Sequence, residues 1–399
     1  MGSGVSKLRA TSSRHLHQNA LKTARTSTGS SGAFVTTSTT QNRLIFVVGP
    51  PRSGSTLLMR MLSSHSQIYS RPEPHLLTPL AHLGFYDNVN RAPFDHLQAG
   101  QALAEFVRDL PGGEEAYLEA LRAYSDRMYA GIISTQGKPY FLDKTPAYGL
   151  ILPFMAKLYP EAHFVILTRN PCSVWDSYAQ SFFDGDYKSA RDFNPILNRY
   201  VPAMADFMRT TSVPYLHVRY EDVVSNPEET LKGIYAHIGI EHEPESVNYG
   251  AAPKPAEGGL GDPLGVAKHS RPVTSSLNKW ANHVAVDTDK EVMLREMVAL
   301  LDPRDITTWG YDRKKLFEPL ASVDLPAARK SGKAARRKDR WAKYKFKRRL
   351  LISLRRNIHH NAFGRLIKKV RFVCDVLLRG DGESGWNNAG HVNDGKDRP

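Results

Sequence analysis

The first strong apolar run in the chain is Leu44-Ile45-Phe46-Val47-Val48, closed by Gly49, Pro50 and Pro51. An unbroken apolar stretch of this length, with no alternation, predicts a strand buried on both faces. YFLDK (Tyr140–Lys144), HFVILT (His163–Thr168) and YLHVRY (Tyr215–Tyr220) predict three more strands. Thr56–Ser64 has helical spacing, with Leu57, Leu58, Met61 and Leu62 forming one stripe toward a sheet. Helices are also predicted over Glu114–Ser134, Ile151–Tyr159, Val174–Phe183, Ile196–Thr210, Glu228–Ile238 and Lys290–Leu301. Strands alternating with helices predict an α/β fold with a central parallel sheet flanked by helices. The Gly/Pro-rich tract Lys254–Ser276 predicts a long loop of the kind used as a lid.

The 399 residues are 41% apolar, enough for one substantial core. We expect a domain over 43–318, preceded by a disordered tail (1–42) and followed by a linker, a basic helical tail and a disordered end (319–399). The net charge of +14 is unevenly placed. Residues 329–371 carry eighteen Lys/Arg against one acid, Asp339, which leaves the remainder slightly acidic. A nucleic-acid-binding body is therefore not expected. The two cysteines, Cys172 and Cys374, fit neither a disulfide framework nor a zinc site. No run approaches the ~20 apolar residues of a membrane span. The acid-free N-terminus reads as a tail, with a transit peptide or myristoylation at Gly2 as lesser readings.

The candidate chemistry begins at Gly49-Pro50-Pro51-Arg52-Ser53-Gly54-Ser55-Thr56, which follows a strand and opens a helix. There, successive backbone amides and the positive helix end face an anion, as in phosphate loops. The usual lysine of such loops is replaced by Ser55, and the cation lies three residues earlier at Arg52. Without that lysine an ATP-hydrolysing loop loses its main β/γ-phosphate contact. A second anion site is expected where Arg169, at the end of a strand, and Ser177, two turns into the next helix, converge.

PPRSGSTLL resembles the 5′-phosphosulfate loop of sulfotransferases that use 3′-phosphoadenosine 5′-phosphosulfate (PAPS). It is similar to the arginine-containing version of tyrosylprotein and bacterial enzymes. Arg169-Asn170-Pro171 with Ser177 resembles the 3′-phosphate motif of that family. RYEDV (Arg219–Val223) is similar to a cofactor-contacting segment, which implies Tyr220, and LNKW (Leu277–Trp280) implies Lys279 near the phosphates. The resemblance spans roughly Arg43 to Tyr311. It implies that Pro51, Arg52, Ser53, Gly54, Ser55, Thr56, Arg169, Ser177, Tyr220 and Lys279 bind PAPS, the donor substrate, with no metal.

Sulfuryl transfer needs a base, charge stabilisation on the moving group and a stabilised leaving group. Arg52 and the loop amides fit the last two. For the base, the resemblance to tyrosylprotein enzymes implies Glu73, and that to cytosolic enzymes implies His75. Lys144 is placed at the mouth of the sheet, either steadying sulfate or acceptor or pairing with Asp143. A P-loop kinase using ATP and Mg²⁺, or a nucleotide-binding adaptor without catalysis, are the alternatives, and the missing lysine weighs against the first. The acceptor is a carbohydrate, lipid, peptide or small metabolite, facing helices within residues 75–135. Phe346, Leu350, Leu354 and Ile358 form an apolar stripe in the basic tail. That stripe suits an anionic membrane surface or packing on the enzyme body equally well, with nucleic-acid binding by the tail a lesser third reading. A cytoplasmic bacterial enzyme, peripheral to the membrane on the first of these readings, is expected.

Overall fold

A computed structural model describes residues 40–83, 85, 96–250 and 269–325. The expectations for the N-terminal tail, for 254–268 of the lid, for part of the acceptor-side helices and for the basic tail from residue 326 lie outside the described residues.

Among the described residues one sheet of five parallel strands forms the centre. The strands are β1 (Leu44–Val48), β2 (Ile68–Pro72), β3 (Tyr140–Lys144), β4 (His163–Thr168) and β5 (Tyr215–Arg219), in the order β2-β3-β1-β4-β5. The chain leaves β1 toward β2 and β3 on one side, then crosses to β4 and β5 on the other. A crevice at the carboxyl end of β1 is the expected ligand position for such a reversal.

Helix α1 (Ser55–Leu62) follows β1; α2 (Leu77–Ala81), α3 (His96–Asp109) and α4 (Gly113–Gln136) join β2 to β3; α5 (Leu152–Leu158) joins β3 to β4. Between β4 and β5 lie α6 (Pro171–Phe183), α7 (Tyr187–Phe193) and α8 (Ile196–Thr210). After β5 come α9 (Tyr220–Ser225) and α10 (Pro227–Ile238). Then follow α11 (Lys279–Val284), α12 (Thr288–Ala299), α13 (Pro303–Thr308) and α14 (Glu318–Ala321).

Both faces of the sheet are covered, which explains why LIFVV is apolar at every position. Leu44, Phe46 and Val48 enter one core with Phe164, Ile166 and the buried faces of α4, α5, α6 and α8. Ile45 and Val47 enter the other with Val165, Leu167, α1, α9 and α10. Helix α4 buries Leu118, Leu121, Ser125, Tyr129 and Ile133, a spacing of three and four that keeps one stripe on the sheet. At the start of α6 the Asn170 side chain accepts from the amides of Cys172 and Ser173, and Pro171 takes the first turn.

Three strands match their expected bounds residue for residue. The fourth ends at Arg219, because Tyr220 opens α9 rather than extending β5. Strand β2 was not anticipated: IYSRP is a short edge strand ending in proline, with Ile68 fully buried and Tyr69, Ser70 and Arg71 less so. After α12 the chain continues through α13, Tyr311 and α14 over the described residues. No helix among the described residues is long and apolar enough to cross a membrane.

Candidate active site

The parallel register aligns the carboxyl ends of all five strands. Val48 pairs with Ile166, Pro72 with Lys144 and Thr168 with Arg219. The residues just beyond these ends therefore share one edge: Gly49–Ser55 after β1, Glu73 after β2, Thr145 after β3, Arg169 after β4 and Tyr220 after β5.

The loop between β1 and α1 is tightly packed. A Cβ on Gly49 would lie 2.6 Å from both the Leu167 carbonyl and Ser53 Oγ. Gly54 caps α1 at φ 97°, and a Cβ there would lie 2.2 Å from the Tyr220 ring. Glycine is thus required twice, once for close approach and once for a left-handed cap. No side chain caps α1, so its first amides are left for an anion. Ser53 Oγ is buried and has no hydrogen-bond partner.

Arg52 binds the two halves of the site together. Its Nε donates to Ser177 Oγ at 3.2 Å, and its carbonyl accepts from Arg169 Nη1 at 3.1 Å. Arg169 also donates from Nη2 to the Ser276 carbonyl at 3.2 Å, and its guanidinium lies 4.1 Å from the centroid of the Tyr220 ring. Such stacking contributes on the order of 1–2 kcal/mol when desolvated. Tyr220 OH and Ser276 Oγ are 2.6 Å apart. Burial pulls the Arg169 guanidinium below the usual arginine range, while Tyr220 and Glu221 work against that shift. Arg169 Nε is buried without a partner. A buried donor and a buried hydroxyl left open beside a helix amino end fit the phosphates of a nucleotide.

A clasp from the C-terminal part of the domain fixes this corner. Trp309 Nε1 donates to the Arg169 carbonyl at 3.0 Å. Glu221 accepts from the Asn170 amide at 3.1 Å and from Tyr311 OH.

Beside Thr56, at the start of α1, stands a buried lysine. Lys144, 1% exposed, donates to Glu73 Oε1 at 2.6 Å and to Thr56 Oγ1 at 3.4 Å. The ammonium pairs with Glu73, a partner not anticipated for it, and not with Asp143, whose three hydrogen bonds come from Tyr129, Tyr148 and Thr145. His75 Nε2 is 4.0 Å from Glu73 Oε2 and its ring is partly exposed. Of the four described non-glycine residues with positive φ, three are Arg52, Glu73 and His75. Each left-handed residue costs roughly 1–2 kcal/mol, and strain of this kind gathers at functional sites. Tyr200 of α8 is pushed up to about 12 chiefly by burial, with Arg199 opposing and the charge of Glu73 adding.

The structure thus brings Pro51, Arg52, Ser53, Gly54, Ser55, Thr56, Glu73, His75, Lys144, Arg169, Ser177 and Tyr220 to one edge. Lys279 is exposed at the start of α11, and no contact joins it to the loop among the described residues. Ser276, three residues earlier, holds that place instead. Sequence reasoning also missed Trp309, Tyr311, Glu221 and Tyr200. Glu221 lay inside the segment RYEDV that had suggested Tyr220, and Ser276 lies one residue before the LNKW stretch that had suggested Lys279. Among the described residues no group of three or more His, Cys, Asp or Glu could hold a metal ion.

The fold and this edge define an α/β protein with a phosphate-loop-like joint after its first strand. A model of the sulfotransferase family matches residues 44–244, half of the chain, and the chain belongs to that family. Nodulation protein NoeE of Sinorhizobium fredii (strain NBRC 101917 / NGR234) is 29% identical over 222 residues, covering 50% of this chain and 50% of that protein. Protein-tyrosine sulfotransferase 1 of Danio rerio is 24% identical over 283 residues, covering 67% and 72%. The solved sulfotransferase domain of the Synechococcus PCC 7002 olefin synthase is 26% identical with a TM-score of 0.43, covering 65% of this chain and 95% of that one. The chain spans half the length of NoeE.

Proposed function

We propose that this protein transfers a sulfuryl group from PAPS to a hydroxyl or amine acceptor, leaving adenosine 3′,5′-bisphosphate. The observation that carries this reading is the Arg52 bridge. One side chain and its carbonyl join the 5′ loop to both members of the Arg169/Ser177 pair, so two anion sites open on one cleft. A 3′-phosphate is what distinguishes this donor from ATP, and Arg169 with Ser177 is the pair built to hold it. Family membership supports the same reading.

In this reading Ser53, Gly54, Ser55 and Thr56 cradle the 5′-phosphosulfate with the amino end of α1. Arg52 neutralises charge on the moving group and on the departing phosphate. Glu73 takes the acceptor proton as the new bond to sulfur forms and the bond to the phosphate oxygen breaks. Lys144 touches both Glu73 and Thr56 and sits between base and loop. Tyr220 holds Arg169 by stacking and adjoins Gly54.

Calorimetric titration with adenosine 3′,5′-bisphosphate, ADP and ATP with Mg²⁺ tests the reading. Preference for the 3′,5′-bisphosphate is expected, and preference for ATP with Mg²⁺ would overturn it.

A further inference from the structure

Asp143 is fully buried, yet nothing in the reaction proposed above uses it. It accepts three hydroxyl hydrogen bonds: Tyr129 OH at 2.8 Å, Tyr148 OH at 3.0 Å and Thr145 Oγ1 at 2.9 Å. Two of these hydroxyls reach further. Thr145 Oγ1 accepts from the His75 amide at 3.4 Å, and Tyr148 OH accepts from the Leu77 amide at 3.1 Å. Tyr129 OH makes no hydrogen bond to the described residues of that segment.

The polarity of these bonds is set by the carboxylate. An ionised carboxyl only accepts, so each hydroxyl must spend its one proton on Asp143 and turn its lone pairs outward. Outward, for Thr145 and Tyr148, means toward the amides of His75 and Leu77. A neutral group at 143 would release this constraint.

Alternation along β3 does the rest. Asp143 points toward α4 and the Tyr148 turn, and Lys144 points toward Thr56 of α1. Consecutive residues of one strand therefore hold 73–77 from two sides, Lys144 through the Glu73 carboxylate and Asp143 through backbone amides. That segment carries two positive-φ residues, Glu73 and His75, and a strained backbone persists only where its surroundings over-determine it.

We propose that Asp143 is a positioning residue, which fixes the backbone from Glu73 to Leu77 through the hydroxyls of Thr145 and Tyr148 and so aims the Glu73 carboxylate at the cleft. The proposal rests on Glu73 being the base, which gives it one readout that does not need activity. Hydrogen exchange on the full chain follows the amides of His75 and Leu77 in the peptide covering 73–81. Thr145→Val and Tyr148→Phe each raise exchange there by about tenfold, the effect of one hydrogen bond. Thr145→Ser keeps the hydroxyl and restores the wild-type pattern. Tyr129→Phe removes a bond from the same carboxylate, lowers the melting temperature and leaves exchange over 73–77 as in the wild type.

With labelled PAPS and an acceptor panel, Thr145→Val and Tyr148→Phe lower kcat by about tenfold while the donor KM stays within twofold. Unchanged exchange in both variants, or equal opening in Tyr129→Phe, overturns the positioning role. Altered exchange with normal kcat overturns the link to the base. A wild type that exchanges as described yet transfers nothing from PAPS counts against the sulfotransferase reading and leaves the tether standing.

Discussion

Lys144 Nζ lies 2.6 Å from Glu73 Oε1, which couples the candidate base to the floor of the phosphate loop through one buried ammonium. Removing either charge strands the other in a site where little water reaches it.

Glu73→Gln should reduce transfer at least about a hundredfold, the lower range for loss of a general base. Affinity for adenosine 3′,5′-bisphosphate should hold or rise, because Lys144 is released toward the anion. Calorimetry beside a radiolabel transfer assay checks both. Near-normal turnover would remove Glu73 from the reaction and leave His75 as the base.

Ser177→Ala should weaken adenosine 3′,5′-bisphosphate by about tenfold and leave adenosine 5′-monophosphate nearly unaffected, since one charge-assisted bond contributes about 1.5 kcal/mol. Titration of the two nucleotides gives the ratio. Equal weakening of both would move Ser177 away from the 3′ position.

Gly54→Ala should be severe. The new methyl carbon meets the Tyr220 ring at 2.2 Å, and the residue has φ 97°. Overpacking and left-handed strain together amount to roughly 2–5 kcal/mol, enough to lower the melting temperature by several degrees. Nucleotide affinity should fall as well, since Tyr220 is the ring under Arg169. A thermal melt with and without nucleotide measures both effects.

Burial raises the Asp143 carboxyl to about 6, against hydrogen bonds from Tyr129, Thr145 and Tyr148 and the charge of Lys144, all of which act to lower it. A carboxyl raised in the folded state takes up its proton there before it does in the unfolded chain. Its ionisation therefore costs stability above about pH 6, and the cost is relieved as pH falls toward 4. Wild type should gain on the order of 2–3 kcal/mol relative to Asp143→Asn between pH 7 and 4. Denaturant melts of the two proteins across that range test the slope. A constant difference between them would mean that Asp143 titrates normally.

Much of this architecture could be read from residue order. LIFVV, YFLDK and HFVILT declare themselves because a strand covered on both faces must be apolar nearly throughout. Arg52, Arg169 and Ser177 declare themselves because short strand-to-helix joints fix their neighbours locally. Strand β2 escaped because an edge strand with Ser70, Arg71 and Pro72 has no such constraint. Tyr220 was placed in a strand because its aromatic ring suits either state, and only the turn into α9 brings that ring under Arg169. Trp309 and Tyr311 reach Arg169 and Glu221 across 140 and 90 residues, a distance at which local pattern carries no information. Lys279 was implied by the resemblance of LNKW to a family stretch, whereas the contact is made by the neutral Ser276 just before it.

The clasp has a practical consequence for how much chain the site requires. A fragment ending at residue 244 keeps all five strands and the whole segment that matches the family. It lacks Ser276, Trp309 and Tyr311, and with them the acceptor for Arg169 Nη2, the donor to the Arg169 carbonyl and a partner of Glu221. The boundary by which the family is recognised is therefore shorter than the boundary within which the nucleotide corner is complete.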